Sequence, residues 1–203
     1  MSIEYLFGYG SLINHESRKQ TGVTHNPVPI HVVGFERSWC VPAPAMNLTG
    51  LGLYQKQGAA CNGVLVEVSP DQIAEFDERE LGGSDANYDR IEIDQENIIG
   101  IPRSVRSAVW AYTVRNPVPP TTAFPIAQSY LDIILSGCLQ FGEQFAIDFT
   151  KSTTGWNQPW INDRTRPRYI RHMDISSDIL SQIDGLLTRI LPEMVKTRIT
   201  VQS

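Results

Sequence analysis

Residues 5–12, Tyr5-Leu6-Phe7-Gly8-Tyr9-Gly10-Ser11-Leu12, decide how the rest of the chain is read. Tyr5, Leu6 and Phe7 are large or aromatic and suit a buried strand. Gly8 and Gly10 then permit a tight turn in which backbone approaches a ligand closely. Successive backbone N–H groups in such a turn form a small anion-binding nest, and the Ser11 hydroxyl adds a donor. Glycine is also the ordinary residue of any strained turn, so a plain strand exit accounts for Gly8 and Gly10 equally well. Nucleotide binding fits worse. The dinucleotide fingerprint needs a third glycine where Ile13 stands, and the P-loop needs a Gly-Lys-Ser/Thr that is absent. Beside the plain exit, what remains is a compact cradle for a small carboxylate or oxyanion.

Outward from this loop, strands come first and helices later. Residues 30–41 alternate, with Val32, Val33, Phe35 and Trp39, and Gly34 marks a bulge. Residues 50–57 and 60–68 flank Gln57-Gly58-Ala59 and read as a hairpin. Residues 88–94 and 106–114 alternate as further strands. Ser69-Pro70-Asp71-Gln72 is a capping box with Pro at the first helical position. A second helix is expected from about Pro125 to about Gly142. A third spans about Ser177 to Ile190, where Ile179, Ile183, Leu186, Leu187 and Ile190 form a stripe before Pro192. This order predicts an α+β fold: a mixed, mostly antiparallel, barrel-like sheet with flanking helices. With no internal repeat and no long linker, residues 1–203 read as one domain. Its core is expected at about 5–145, with 150–203 packed on it as an extension.

Glu80 is the strongest candidate for chemistry. Wound at about 100° per residue, the capped helix puts Glu80 between the directions of Ile73 and Phe76, the face that meets the core. Glu75 and Glu78 point the other way, into solvent. A carboxylate on an apolar face must be paired, hydrogen-bonded or functional. Glu80 also lies in the last turn before Gly82-Gly83, where the helix dipole opposes negative charge. Both conditions disfavour a bare charge and suit a group that exchanges protons. Asp77, at the edge of the same face, is the second candidate. The bland alternative is an internal ion pair of Glu80 with Arg90 or Arg37, and on geometry alone it stands level with catalysis.

The loop at Gly8–Leu12 and the segment Phe76-Asp77-Glu78-Arg79-Glu80-Leu81-Gly82-Gly83, followed by Tyr88-Asp89-Arg90, together resemble the gamma-glutamylcyclotransferase superfamily, with its ChaC-type and AIG2-like members. Its members carry a Tyr-Gly-Ser-(Asn/Leu) loop after the first strand, then an apolar-Asp-x-x-Glu segment and a Tyr-containing strand. Leu12 in the loop looks closer to the ChaC-type branch than to the Asn-bearing one. The resemblance covers about residues 5–145. It implies that Glu80 is the catalytic base, that Gly8, Tyr9, Gly10, Ser11 and Leu12 meet the substrate, and that Tyr88 bonds substrate or orients Glu80. The activity implied is cyclisation of a γ-glutamyl compound: its own α-amine attacks the γ-carbonyl, releasing 5-oxoproline and an amine or amino acid. One carboxylic acid suffices for both proton transfers, and no metal or cofactor is called for. A γ-glutamylamine cyclotransferase, a γ-glutamyl-trimming enzyme and a non-catalytic γ-glutamyl-binding relative are the alternatives.

Composition narrows the partners. A 41% hydrophobic, 19% charged chain is globular, and its net charge of −5 argues against nucleic acid or an anionic membrane. Cys40, Cys61 and Cys138 are odd in number and set in apolar surroundings, which reads as buried reduced thiols of a cytoplasmic protein. His15, His25, His31 and His172 lack metal-ligand spacing. A monomer or homodimer acting on a small γ-glutamyl molecule is expected, with neither nucleic acid nor membrane as partner. Residues 156–172 place Trp156 and Trp160 before Arg164, Arg166, Arg168 and Arg171, with Pro159 and Pro167 between. This extended segment reads either as a clamp, with guanidinium groups stacked on aromatics and paired to surface acids, or as a flap over the cleft.

Overall fold

A computed structural model describes residues 3–20, 27–81 and 87–200. Gly82 and Gly83, expected to end the helix that carries Glu80, and His25 lie outside the described residues. Strand β1 (Glu4–Gly8) leads through a 3-10 turn at Ser11–Ile13 into helix α1 (His15–Lys19). Two long strands follow, β2 (Val28–Ala43) and β3 (Leu48–Val68). Then come α2 (Pro70–Leu81), β4 (Tyr88–Glu92), β5 (Ile98–Ile99) and β6 (Val109–Val114). The remainder runs β7 (Ile126–Ala127), α3 (Gln128–Leu139), α4 (Glu143–Ser152), β8 (Thr153–Thr154) and β9 (Trp160–Asn162). It closes with α5 (Ser177–Ile190), α6 (Pro192–Thr197) and β10 (Ile199–Thr200).

The main sheet has the order β4-β6-β1-β3-β2-β5, with β8 beside β2. Pairs β1–β3, β2–β3, β2–β5 and β4–β6 are antiparallel, while β1–β6 and β2–β8 are parallel. The α+β, mostly antiparallel, curled sheet expected from the sequence is therefore present. A small parallel sheet, β10-β9-β7, was not foreseen, because its strands have only two or three residues each. The apolar run at β1 is explained by its place inside the sheet. Leu6 joins one core with helices α3, α4 and α5, whereas Phe7 joins a second core with Ile30, Leu65 and Val109. Successive residues of a strand face opposite ways, so an interior strand covered on both faces is apolar throughout.

The hairpin expected at Gln57–Ala59 does not form. Residues on both sides of it belong to one strand, β3, and pair with the same partner, β2. The register jumps from Val33↔Ala60 to Phe35↔Gln55, so β3 carries a wide bulge opposite Gly34. Gly34 (φ 85°) and Gly58 (φ 79°) both take left-handed backbone there, and the two strands bend together. The turn that reverses the chain lies instead at Pro44–Asn47, with Asn47 left-handed at φ 50°.

The helix signals fare better. Ser69 Oγ accepts from the Gln72 N–H at 3.2 Å, and Gln72 Oε1 accepts from the Ser69 N–H at 2.8 Å, the reciprocal capping box that opens α2. Helix α5 has the expected bounds and buries Ile183, Leu186 and Leu187. The helix expected over 125–142 is shorter, since Ile126–Ala127 pair as β7, and α4 after it was not anticipated. Cys40, Cys61 and Cys138 are buried free thiols. No helix among the described residues is long and apolar enough to cross a membrane.

The Arg-rich segment acts as a clamp chiefly through Arg164, with the Arg168 guanidinium donating to the Asn47 carbonyl at 2.6 Å. Arg164 donates to buried Asp132 at 2.7 and 2.8 Å and to Asp184 at 2.6 Å, tying α3 to α5. Asp163, fully buried, accepts from the N–H and hydroxyl of Ser129 and from the Arg168 N–H. The guanidinium recorded over Trp160 is that of Arg198, at 5.3 Å, and not one from the segment. Its end, Tyr169 to Arg171, turns to a different place.

Candidate active site

One cavity of about 290 Å³ is lined by Gly8, Tyr9, Gly10, Ser11 and Leu12 from the first loop, by Glu80 from α2 and by Tyr88 from β4. These are the residues that the sequence singled out, and the topology explains why they meet. β1 and β6 are neighbours and β6 pairs with β4, so the exit of β1 and the start of β4 lie at the same end of the sheet. Helix α2 packs on this part of the sheet through Phe76, which is buried with its ring 6.5 Å from that of Tyr112 on β6. Glu75 and Glu78 are exposed while Ile73 and Phe76 are buried, as the winding of the helix requires.

The loop is fixed from behind. Arg18, buried, donates to the carbonyl oxygens of Leu12 (2.8 Å) and Ile13 (2.6 Å). Asn14 caps α1 through the Ser17 N–H at 3.0 Å and reaches Ser136 of α3, also at 3.0 Å. The first internal bond of the 3-10 turn is Ile13 N–H to Gly10 O, so the Ser11 and Leu12 N–H groups precede it and are not consumed by the turn. Glycine is needed here for room and not for a left-handed backbone, because Gly10 has φ −134°. A Cβ at Gly8 would stand 3.0 Å from that of Leu12, and one at Gly10 would stand 3.2 Å from the Tyr130 hydroxyl.

Around Glu80 the wall is phenolic. Tyr112, Tyr130 and Tyr169 line the cavity with Tyr9 and Tyr88. Sequence reasoning missed the first three, since they come from distant segments and carry no local motif. Tyr9 donates to the Tyr112 carbonyl at 2.8 Å. Tyr112 in turn donates to Asp77 Oδ1 at 2.9 Å, and Tyr130 stacks on Tyr169 with ring centroids 4.6 Å apart. Burial first, then the nearby Tyr88 and Glu80, pushes the Tyr9 phenol well up. Burial likewise raises Tyr130, with Tyr169, Tyr88 and Glu80 adding to it. Burial raises Tyr112 too, followed by its bond to Asp77. These phenols stay protonated, and Tyr9 and Tyr112 serve as hydrogen-bond donors.

The cations offered as partners for Glu80 are engaged with other groups. Arg90 donates to Asp77 at 2.5 Å and lies 4.6 Å over the Trp110 ring. Arg37 is fully buried against Asn62, Thr153 and the α4 C-terminus. Asp77, the second candidate base, is thus held in an ion pair and by Tyr112. Among the described residues no cluster of His, Cys, Asp and Glu could hold a metal ion.

The family model for gamma-glutamyl cyclotransferase, AIG2-like, matches residues 6–132. No curated protein matches the chain. Among solved structures, an uncharacterized Homo sapiens protein, loc79017, is similar at 17% identity and a TM-score of 0.57, covering 91% of this chain and 99% of its own. A gamma-glutamyl cyclotransferase is similar at 16% identity and 0.55, with the same coverage. YkqA from Bacillus subtilis is similar at 16% and 0.58, covering 74% of this chain and 54% of its own. At these identities the likeness is one of fold. The family match spans well over half the sequence and includes both the Gly8–Leu12 loop and Glu80. The chain belongs to the gamma-glutamyl cyclotransferase, AIG2-like family.

Proposed function

We propose that this protein cyclises a γ-glutamyl compound to 5-oxoproline, with Glu80 as the general acid/base. The nitrogen of the substrate α-amine attacks the γ-carbonyl carbon and closes a five-membered lactam, and the bond from that carbon to the leaving nitrogen breaks. The α-ammonium gives one proton to solvent; as the amine attacks, Glu80 takes a second and returns it to the departing nitrogen, and the released amine takes up a proton from solvent. The N–H groups and hydroxyl at Gly8–Leu12 hold the α-carboxylate or meet the developing oxyanion. Tyr9 and Tyr88 give the folded-back chain its wall, and confinement in that conformer supplies much of the acceleration.

The observation that carries this reading is the pairing, in one cavity, of a carboxylate with a donor-rich loop and neutral phenols. Tyr9, Tyr112 and Tyr130, whose phenols are pushed up by burial, are poor bases, and this supports Glu80 as the acid/base group on that wall. The test is release of 5-oxoproline from a panel of glutathione, γ-glutamyl dipeptides and γ-glutamylamines. Release from one member identifies the leaving group. Binding with no release from any would favour a non-catalytic relative.

Room at Gly10 gives a second check. Gly10→Val points branched carbons toward the Tyr130 hydroxyl and into the space for substrate. kcat/KM should fall by about ten-fold to 10²-fold, the scale of a misplaced reacting group, while the melting temperature stays near wild type. Unchanged kinetics would put the substrate elsewhere.

A further inference from the structure

The cavity has a cationic feature that the proposed reaction does not use. Tyr169, Ile170 and Arg171 line its rim. Tyr169 is buried and stacked on Tyr130, and the turn that follows is closed by the His172 N–H on the Tyr169 carbonyl at 3.0 Å. Ile170 and Arg171 are therefore held at the opening. Ile170 is 71% exposed, whereas Arg171 is half-buried. Among the described residues the Arg171 guanidinium has no ion pair and no hydrogen bond. Other half-buried or buried arginines, Arg37, Arg90, Arg164 and Arg198, all donate to protein acceptors.

A half-buried guanidinium open to a cavity is matched by a carboxylate that arrives with a ligand, since its planar donors fit two carboxylate oxygens. Tyr130 stands between this rim and the reacting end: its hydroxyl lies beside Gly10 and its ring against Tyr169. The glutamyl part belongs with Glu80 and Gly8–Leu12, so the group nearest Arg171 is the one that leaves. Val41, Ala43 and Met46 make part of the same lining apolar.

We propose that Arg171 is a specificity-determining residue that selects γ-glutamyl compounds whose leaving amine carries a carboxylate. This rests on the cyclotransferase reading. The test compares γ-glutamyl-leucine with γ-glutamyl-3-methylbutylamine, which differs only in lacking the leaving-group carboxylate. 5-Oxoproline release is measured for wild type, Arg171→Gln and Arg171→Lys, with melting curves for each. Wild type should prefer γ-glutamyl-leucine by about ten-fold or more in kcat/KM, the lower range for a hydrogen bond to a charged group. Arg171→Gln should erase most of that preference, mainly through KM for γ-glutamyl-leucine, and Arg171→Lys should keep part of it. A wild type without preference overturns the proposal, even if Arg171→Gln fails to fold. A preference that survives in Arg171→Gln also overturns it. An equal loss on both substrates overturns it as well, by placing the guanidinium on the glutamyl carboxylate. If wild type releases 5-oxoproline from glutathione or another γ-glutamyl compound of the panel but from neither of these two, the subsite is overturned while the cyclotransferase reading stands; if it releases none from any of them, that reading has failed and the subsite with it.

Discussion

Glu80→Gln should lower turnover by about 10²-fold or more while leaving the protein folded, the usual worth of a positioned acid/base group. The amide keeps the size of the side chain and its place beside Phe76, so the apolar face of α2 and the Ser69–Gln72 cap are undisturbed. What it loses is the ability to accept the proton of the attacking amine. A substrate analogue should therefore bind nearly as before, and the loss should appear in kcat. The other carboxylate at the edge of that face of α2, Asp77, is occupied by Arg90 at 2.5 Å and by the Tyr112 hydroxyl at 2.9 Å, and it would have to break both bonds to substitute. Activity of Glu80→Gln within a few-fold of wild type would sink the assignment, and Asp77→Asn would then be the variant to measure. If Glu80 is the base, Asp77→Asn should act by loosening Arg90 and Tyr112, with a loss of stability alongside any loss of rate.

The parts of this site that the sequence made legible are those in which the backbone rule is local. The glycines at 8 and 10 mark a close approach wherever they fall, and the helical winding from a recognisable cap fixes the direction of Glu80 within a single element. Longer-range facts left no such trace. Tyr112, Tyr130 and Tyr169 reach the cavity from a strand, a helix and a turn whose proximity depends on the sheet order β4-β6-β1 and on α3 packing behind the loop. The false hairpin has the same origin. Gly58 between two alternating runs fits a turn, and only the length of β2, which pairs with both runs, makes a bulge the better solution. The arginines divide likewise: Arg164 has buried Asp132 and Asp184 within reach, whereas Arg171 faces the cavity, and nothing in their spacing tells them apart.

The largest effect on stability is expected at Arg37, which lies far from the chemistry yet holds the sheet to the helical layer. Its side chain is fully buried with no carboxylate among its recorded partners. It donates to Asn62 O and Asn62 Oδ1 on β3, to Phe149 O and Ser152 Oγ on α4, and to Thr153 Oγ1 on β8, and it lies 3.6 Å over the Phe149 ring. Burial pushes its pKa down, but a guanidinium begins so high that it stays charged. Arg37→Met removes that desolvated charge, which is a gain, and an apolar chain of similar length follows much of its path. Against this, Asn62 Oδ1 is orphaned and the Asn62 carbonyl loses a donor, while the Phe149 carbonyl keeps the Thr153 hydroxyl at 2.7 Å. Each buried acceptor left unmatched costs about 1–3 kcal/mol. The lost cation–π contact in a dry site adds about 2 kcal/mol. These losses outweigh the gain, and a net destabilisation of about 3 kcal/mol or more follows, close to the cost of breaking a buried pair. Denaturant unfolding should show it as a lower midpoint at unchanged slope. Arg189→Gln is the control, because its pair with Glu143 is exposed on both sides and should be worth nothing measurable. If Arg37→Met unfolds at the wild-type midpoint, desolvation of the guanidinium cancels its bonds, and α4 is held to the sheet by apolar packing and the Asn62–Phe145 bond.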